Sequence, residues 1–407
     1  MTVARIEFDT LTREEALEKL FARWQPAARA EPCALAEARG RILAEDVLSV
    51  SRQPVFRASR MDGIAVRAAD FAERPLPDTR AFREGEDYVR ADTGDDFDDR
   101  FDAVVPIEDV MFFEGGGLAL AQGLGIEPGM NIEPGGQSLR EGDVLARAGQ
   151  RLRPIDIATI TRGGLTQVSV RKRPVACFIP TGSELAEPGV PLRRGQVTDA
   201  NSSLAQHMLA EMGAEVALHP IVRDRESELE AALDEALAVA DIVVINGGSS
   251  KGKDDCNASL LKRRGEVICH GVAAAPGRPV CITLIDGKPA INVPGPTIAS
   301  YYVFDWCLRA VIARALGIQP EAKELLAAEL TEDLHTPAPI EFLNRLNVFR
   351  SGGRYFATPL TLDRASSEYV IGAGAAQYIN KIGEAGFPKG SSIEVELLCP
   401  RSDLPDR

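Results

Sequence analysis

Between Pro174 and Leu316, short continuous apolar runs alternate with segments of helical period, and this alternation constrains the fold more than any other feature of the chain. The runs at Pro174–Pro180, Asp241–Gly248, Val280–Ile285 and Pro289–Gly295 are too short to span a membrane and too unbroken to lie half-exposed in a hairpin. Strands that are apolar on both faces belong in a parallel sheet covered by helices on both sides. Further strands are expected at Ala214–Val222 and near Val267–Ala273. Helices are expected at about Ser202–Met212, Glu226–Ala240 and Ile298–Leu316.

The flanking regions differ in period. Thr12-Arg13-Glu14-Glu15 has the pattern of a capping box, and Ala16, Leu17, Leu20, Phe21 and Trp24 then recur on one helical face. A second helix is expected over Cys33–Ala38. From Ile42 to Ala146, short alternating runs broken by Gly and Pro indicate a small β-rich domain. Its acidic stretch, Glu84–Asp102, reads as a solvated face, because Asp95, Asp96, Asp98 and Asp99 lack the spacing of an EF-hand. The C-terminal part alternates with period two and contains paired glycines, as a separate small β domain would.

Composition excludes several classes. Sixty acidic side chains against 46 basic ones give a net charge of −14, which is unsuited to a nucleic-acid surface or to anionic lipid. It leaves room for a small anion held by local cations or backbone amides. The chain lacks both the ~18-residue apolar stretch of a membrane span and an apolar signal-peptide core near its start, so a cytoplasmic protein is expected. The seven cysteines form no C-x-x-C pair and the four histidines show no metal-ligand spacing, which points to reduced, mostly buried thiols.

In an open α/β sheet, ligands bind beyond the carboxyl ends of the strands. Here those ends carry Thr181-Gly182-Ser183-Glu184, Arg223-Asp224, Pro276-Gly277-Arg278, Pro294-Gly295 and the loop Gly247-Gly248-Ser249-Ser250-Lys251-Gly252-Lys253-Asp254-Asp255. Glycines admit close approach of backbone amides to an anion, the serines donate, and Lys251 and Lys253 add charge. The loop matches neither the Walker A pattern nor the G-x-G-x-x-G fingerprint. Carboxylates at such tips either cap helices or hold polar rings and hydrated cations. Asp199, two positions before Asn201, reads as an N-cap.

These residues resemble the MoeA/gephyrin family, the molybdopterin molybdenumtransferases, along essentially the whole chain. Ser59-Arg60-Met61-Asp62-Gly63-Ile64-Ala65 is similar to the family's S-x-M-D-G-[YF]-A string, and Gly40–Val47 looks like its opening strand. Thr93-Gly94 followed by Asp102–Asp109 matches its threonine-glycine turn and D-A-V-V strand. Thr181–Leu185 resembles T-G-[DS]-E-L, Val197–Asn201 resembles I-x-D-x-N, and Gly247–Asp255 stands at its glycine-serine loop.

The resemblance implies an elongated α/β multidomain homodimer. It comprises a central parallel-sheet, molybdopterin-binding domain (1–28 and 171–320), a linker domain (29–47 and 143–170), an inserted β domain (48–142) and a C-terminal β-barrel (321–407). It implies insertion of molybdenum from molybdate into adenylylated molybdopterin, with release of AMP and use of a divalent cation such as Mg²⁺. The active cleft would combine two subunits, and other cofactor-assembly proteins or apo-molybdoenzymes are implied as partners. Carried across, the catalytic positions are Asp62, Thr93, Glu184, Asp224 and Asp255, with Asp62 and Asp255 toward metal. The binding positions are Thr181, Gly182, Gly247, Gly248, Ser249, Ser250, Lys251, Lys253, Pro276, Gly277, Arg278, Pro294 and Gly295.

The chain also departs from the family's strings. The family's K-P-G-K-P is Ala275-Pro276-Gly277-Arg278-Pro279, its P-G-N-P is Pro294-Gly295-Pro296-Thr297, and an acidic pair is Gln137-Ser138. Lys251 and Lys253 are read as partial replacements for the lost lysine. A non-catalytic molybdopterin carrier or assembly factor, a tungsten-specific insertase and a protein-binding scaffold are the competing readings.

Overall fold

The computed structural model describes residues 11–72, 77–114, 116–247, 256–336, 339–360 and 374–407. The chain forms two compact units, Met1–Ala28 with Lys172–Arg407, and Arg29–Arg171.

The first unit opens with helix α1 (Arg13–Arg23). Thr12 caps it as the sequence predicts: Glu15 N donates to Thr12 Oγ1, and Thr12 N donates back to Glu15 Oε2. The central elements follow as β1 (Val175–Pro180), α2 (Asn201–Glu211), β2 (Glu215–Leu218), α3 (Glu226–Val239), β3 (Ile242–Asn246) and α4 (Cys256–Arg264). After them come β4 (Glu266–His270), β5 (Cys281–Ile285), β6 (Lys288–Val293), α5 (Thr297–Val303) and α6 (Arg309–Leu316). A π-helical turn, Phe304–Leu308, joins α5 to α6 within the single helix expected there.

The strands form one sheet in the order β2-β1-β3-β6-β5-β4. β2, β1, β3 and β6 are parallel, as their unbroken apolar runs predict. β5 corrects the expectation of a wholly parallel sheet, because it runs antiparallel to both β6 and β4. The cause is Asp286-Gly287, both with positive φ. Such a pair makes a two-residue turn that sends the chain straight back beside itself. Cys177, Ile179, Val243, Ile245 and Ala290 pack beneath Leu229, Leu233, Leu260 and Leu261. Each large aliphatic side chain buried in this way contributes about 1.5–3 kcal/mol.

The C-terminal strands are β7 (Leu325–Leu330), β8 (Glu341–Ser351), β9 (Arg354–Pro359), β10 (Ala376–Asn380) and β11 (Ser392–Leu397). They close on themselves in the order β8-β9-β7-β11-β10-β8, a five-stranded barrel. The short strand Ala274–Ala275 pairs with its rim, Ala274 opposite Glu341 and Ala275 opposite Phe342.

The second unit is built from short strands. Gly63–Val66 lies between Tyr88–Ala91 and Ala103–Pro106, antiparallel to both. Two expectations need correction here. Cys33–Ala38 is not a helix: Ala30–Ala34 is a strand paired with Gln167–Arg171, and only Leu35–Glu37 makes a 3₁₀ turn. Pairing with a complementary strand outweighs the modest helical preference of the alanines. The stretch after Gly40 makes isolated bridges, Ile42 to Arg151 and Leu43 to Val170, before the two-residue strand Val47–Leu48.

Gly63 is required by close approach, since a Cβ there would stand 2.0 Å from the Val105 carbonyl oxygen. Gly63→Ala is expected to destabilise the protein by about 1–3 kcal/mol, read as a lower urea midpoint. The acidic stretch makes turns. Asp95 and Asp98 accept from the amides of Asp92 and Arg100, Asp102 accepts from Ala68 N, and Asp99 lies 3.3 Å from Arg57. The seven cysteines are free, and five of them are buried. No described helix is long and apolar enough to cross a membrane.

Candidate functional site

In the second unit, the Ser59–Gly63 string and the Thr93-Gly94 turn are laced together. Gly94 N donates to Ser59 O, and Ser59 N donates to Asp95 O, each at 2.8 Å. Ser59 Oγ donates to Met61 O at 2.5 Å, which tightens the turn that presents Asp62. Thr93 then donates twice to one oxygen of that carboxylate, from its amide at 2.7 Å and from its hydroxyl at 2.8 Å. These two bonds, the amide bond foremost, hold the Asp62 pKa below its ordinary value. Both donors use Oδ1, so Oδ2 of this exposed residue has no partner among the described residues. The sequence names Asp62 and Thr93 separately, and the fold makes them one group.

The arrangement fixes the expected pH response. Losing a donor raises a depressed carboxylate pKa. Thr93→Val, which keeps the amide and loses the hydroxyl, should therefore move the acidic limb of the kcat/KM profile to higher pH. An unmoved limb would show that Asp62 does not titrate in the reaction. The substituted pair beside this turn has local partners: Arg60 Nη2 donates to Gln137 Oε1 at 2.8 Å, and Ser138 Oγ bonds to Glu133.

In the first unit the strand tips converge through a buried polar network. At the end of β3, Asn246 Nδ2 donates to Pro294 O at 2.7 Å and to Ser300 Oγ at 3.1 Å. Its Oδ1 accepts from Asn201 Nδ2, which also reaches Gly295 O at 2.7 Å. Thr181 Oγ1 donates to Asn246 O and accepts from Asn257 Nδ2, both at 2.7 Å. Asn257 also donates to Gly247 O at 2.9 Å, tying the start of α4 to the end of β3. Gly247 has φ 109°, and a Cβ there would meet Thr181 O at 2.8 Å. The network brings Thr181, Gly247, Pro294 and Gly295 together as the strand-end rule predicts, while the Thr181 hydroxyl is spent on positioning. One buried acceptor, Asn201 Oδ1, has no donor among the described residues, and such atoms are rare without a purpose.

The outer rim is more exposed. Ser183 and Asp224 bond reciprocally: Ser183 N donates to Asp224 Oδ2 at 2.8 Å, and Asp224 N donates to Ser183 Oγ at 3.2 Å. The exposed Glu184 folds back so that its carboxylate covers Gly182, where a Cβ would lie 2.8 Å from Oε2. Asp199 accepts from Asn201 N and Ser202 N, capping α2. Gly277 (φ 98°) seats the Pro276–Arg278 turn on α5, where a Cβ would meet Val303 at 2.9 Å. Gly248, Ser249, Ser250, Lys251, Lys253 and Asp255 lie outside the described residues.

Sequence reading named Asn201 only as the end of a family string and missed Asn246, Asn257 and Ser300. The available signal was an amide side chain at the last position of an otherwise apolar strand, Ile242–Asn246. Such a group, when buried, must be bonded. Among the described residues no three His, Cys, Asp or Glu side chains converge on a metal position. Mg²⁺ does not need three, because it keeps several waters and takes one or two carboxylates together with substrate phosphates. The unpartnered Oδ2 of Asp62 fits that requirement.

Residues 11–164 match the family model described as the MoeA N-terminal region (domain I and II), and residues 177–314 match the probable molybdopterin binding domain. The molybdopterin molybdenumtransferase of Bacillus subtilis is 28% identical over 392 residues, covering 92% of this chain and 91% of that protein. The molybdopterin molybdenumtransferase of Haemophilus influenzae is 29% identical over 320 residues, covering 75% and 78%. Among solved structures, a molybdopterin biosynthesis MoeA protein of Pyrococcus horikosii is similar at TM-score 0.78 and 27% identity, covering 96% of this chain and 99% of that one. Two family models matched in order, relatives aligned along most of the sequence and a shared fold lead to one statement: the chain belongs to the MoeA/gephyrin family.

Proposed function

We propose that this protein is a molybdopterin molybdenumtransferase, inserting molybdenum from molybdate into adenylylated molybdopterin with release of AMP. The observation that carries the reading is the Asp62 carboxylate, kept ionised by two Thr93 bonds on one oxygen with the other left outward. A carboxylate so oriented binds a hydrated cation or orients a water. Mg²⁺ bound there would neutralise charge on the phosphates of the substrate. Asp62 would be one of its holders, and the resemblance makes Asp255 the other.

Strand-tip amides and glycines suit the anionic end of the substrate, with Gly182, Ser183, Gly247 and Gly295 around a preorganised network. Glu184 and Asp224 are the acidic groups of the rim. The protein acts as a cytoplasmic homodimer in which Asp62 of one subunit serves the strand tips of the other.

A carrier that binds molybdopterin without turnover is the second reading, favoured by Ala275 and Pro296 where the family's strings have lysine and asparagine. The deciding experiment measures AMP release from adenylylated molybdopterin with and without molybdate. Molybdate-dependent release supports the transferase; tight binding with no release leaves the carrier. Tungstate in place of molybdate tests metal choice in the same assay.

A further inference from the structure

The turn that presents Asp62 carries a second charge two residues earlier. Arg60 is exposed, and its Nη2 donates to the amide oxygen of Gln137 at 2.8 Å. Among the described residues it forms no ion pair. Several arginines of the same unit differ. Arg57 faces Asp99, Arg67 faces Asp70 and Asp87, Arg90 faces Glu84, and Arg100 faces Asp98.

The Arg60–Gln137 bond is not needed to hold the loop that carries Gln137, because backbone bonds already do so. Ser59 pairs with Ile132, Arg60 N donates to Asn131 O at 2.9 Å, and Gly136 N donates to Pro54 O at 2.9 Å. Ser138 N and Leu139 N both donate to Gln53 O, at 3.0 and 3.1 Å. What the bond adds is a fixed place for the guanidinium. Gln137 fixes it as a neutral amide, so the arginine keeps its full charge, which a carboxylate at that position would offset. The carboxylate of this loop, Glu133, is bonded to Ser138 instead.

A positioned guanidinium two residues from the outward oxygen of Asp62 suits an anion that also takes a cation. Phosphate oxygens do both: the planar fork of an arginine binds two of them, and a hydrated Mg²⁺ takes another. A divalent cation held by carboxylates has much of its charge offset, and Arg60 restores positive charge beside it. Gln137-Ser138 replaces an acidic pair of the family's strings, so this arrangement is a property of this chain.

We propose that Arg60 is a phosphate-binding residue of the Asp62 group, held in place by Gln137 to grip the pyrophosphate linkage of the adenylylated substrate. The inference rests on the transferase function above and names the residue that supplies its fixed positive charge.

The test titrates the full chain calorimetrically with inorganic pyrophosphate in Mg²⁺ buffer, at low and at high salt. At low salt Arg60→Gln should weaken binding about 10-fold, the low end for a charge-assisted hydrogen bond. The deficit should shrink at high salt, because the lost attraction is between exposed charges. Arg60→Lys, with the charge but not the fork, should fall between. Gln137→Glu keeps the arginine and neutralises it, and should also cost about 10-fold. Gln137→Ala, which frees the arginine without neutralising it, should cost about 3-fold.

The proposal is overturned if folded Arg60→Gln binds pyrophosphate as the wild type does, if its deficit is equal at both salt concentrations, or if Gln137→Glu leaves the affinity unchanged. Should Arg60→Gln not fold, Gln137→Glu decides alone. AMP release by the wild type is measured alongside. Release with an unaffected Arg60→Gln titration sinks the role of Arg60 and spares the transferase, and an Arg60-dependent titration without release does the reverse.

Discussion

Asp62→Asn is expected to lower molybdate-dependent AMP release by on the order of 10²–10⁴-fold in kcat, the range for removing a positioned ionisable group. The substitution is sparing. Asparagine still offers an oxygen to Thr93 N and Oγ1, so the turn from Ser59 to Gly63 keeps its bonds and the thermal midpoint should hold. What disappears is the charge and the acceptor character of the outward atom. Single-turnover rates alongside substrate affinity distinguish the outcomes. A loss below tenfold would remove Asp62 from the reacting machinery and leave it as turn chemistry, which an Asp-Gly pair often is.

The second large effect is expected at Asn246. Asn246→Ala deletes three side-chain hydrogen bonds, to Pro294 O, Ser300 Oγ and Asn201 Nδ2. Each buried group left unsatisfied costs about 1–3 kcal/mol, and Ser300 retains its own bond to Pro294 O. The expected loss is about 3 kcal/mol in urea unfolding, together with weaker substrate binding, because the Pro294-Gly295 tip loses its tie to β3. Ser300→Ala should cost less. Equal stability of Asn246→Ala and wild type would mean that the network is ornamental.

Much of this was legible in the sequence because it is local. The Thr12–Glu15 box needs only four residues and its bonds formed as written. Asp199 capping α2 is likewise a matter of two or three positions. Apolar runs bounded by glycine located the sheet and the strand ends on which the polar network converges. Cys33–Ala38 was misread because its partner, Gln167–Arg171, lies far along the chain, and only pairing across that distance makes Ala30–Ala34 a strand. The reversal of β5 was readable from Asp286-Gly287 but hidden behind the expectation that apolar strands run parallel. The Asn246 network was illegible for a deeper reason. Its five side chains are scattered from Thr181 to Ser300, and periodicity cannot reveal amides whose partners are loop carbonyls.

The closed barrel has two short seams, β7–β9 and β10–β11, each of two residue pairs. Four of its five joints are antiparallel, but β7 and β9 run side by side and share only Glu329 with Phe356 and Leu330 with Ala357. Of the two short seams, β7–β9 is the parallel one, and parallel pairing is slightly less stable per residue. Thermal breathing of this C-terminal cylinder should begin there, on the side away from the Phe342–Asn380 contact, so the wall that Ala275 leans on stays shut while the far seam exchanges its amide protons.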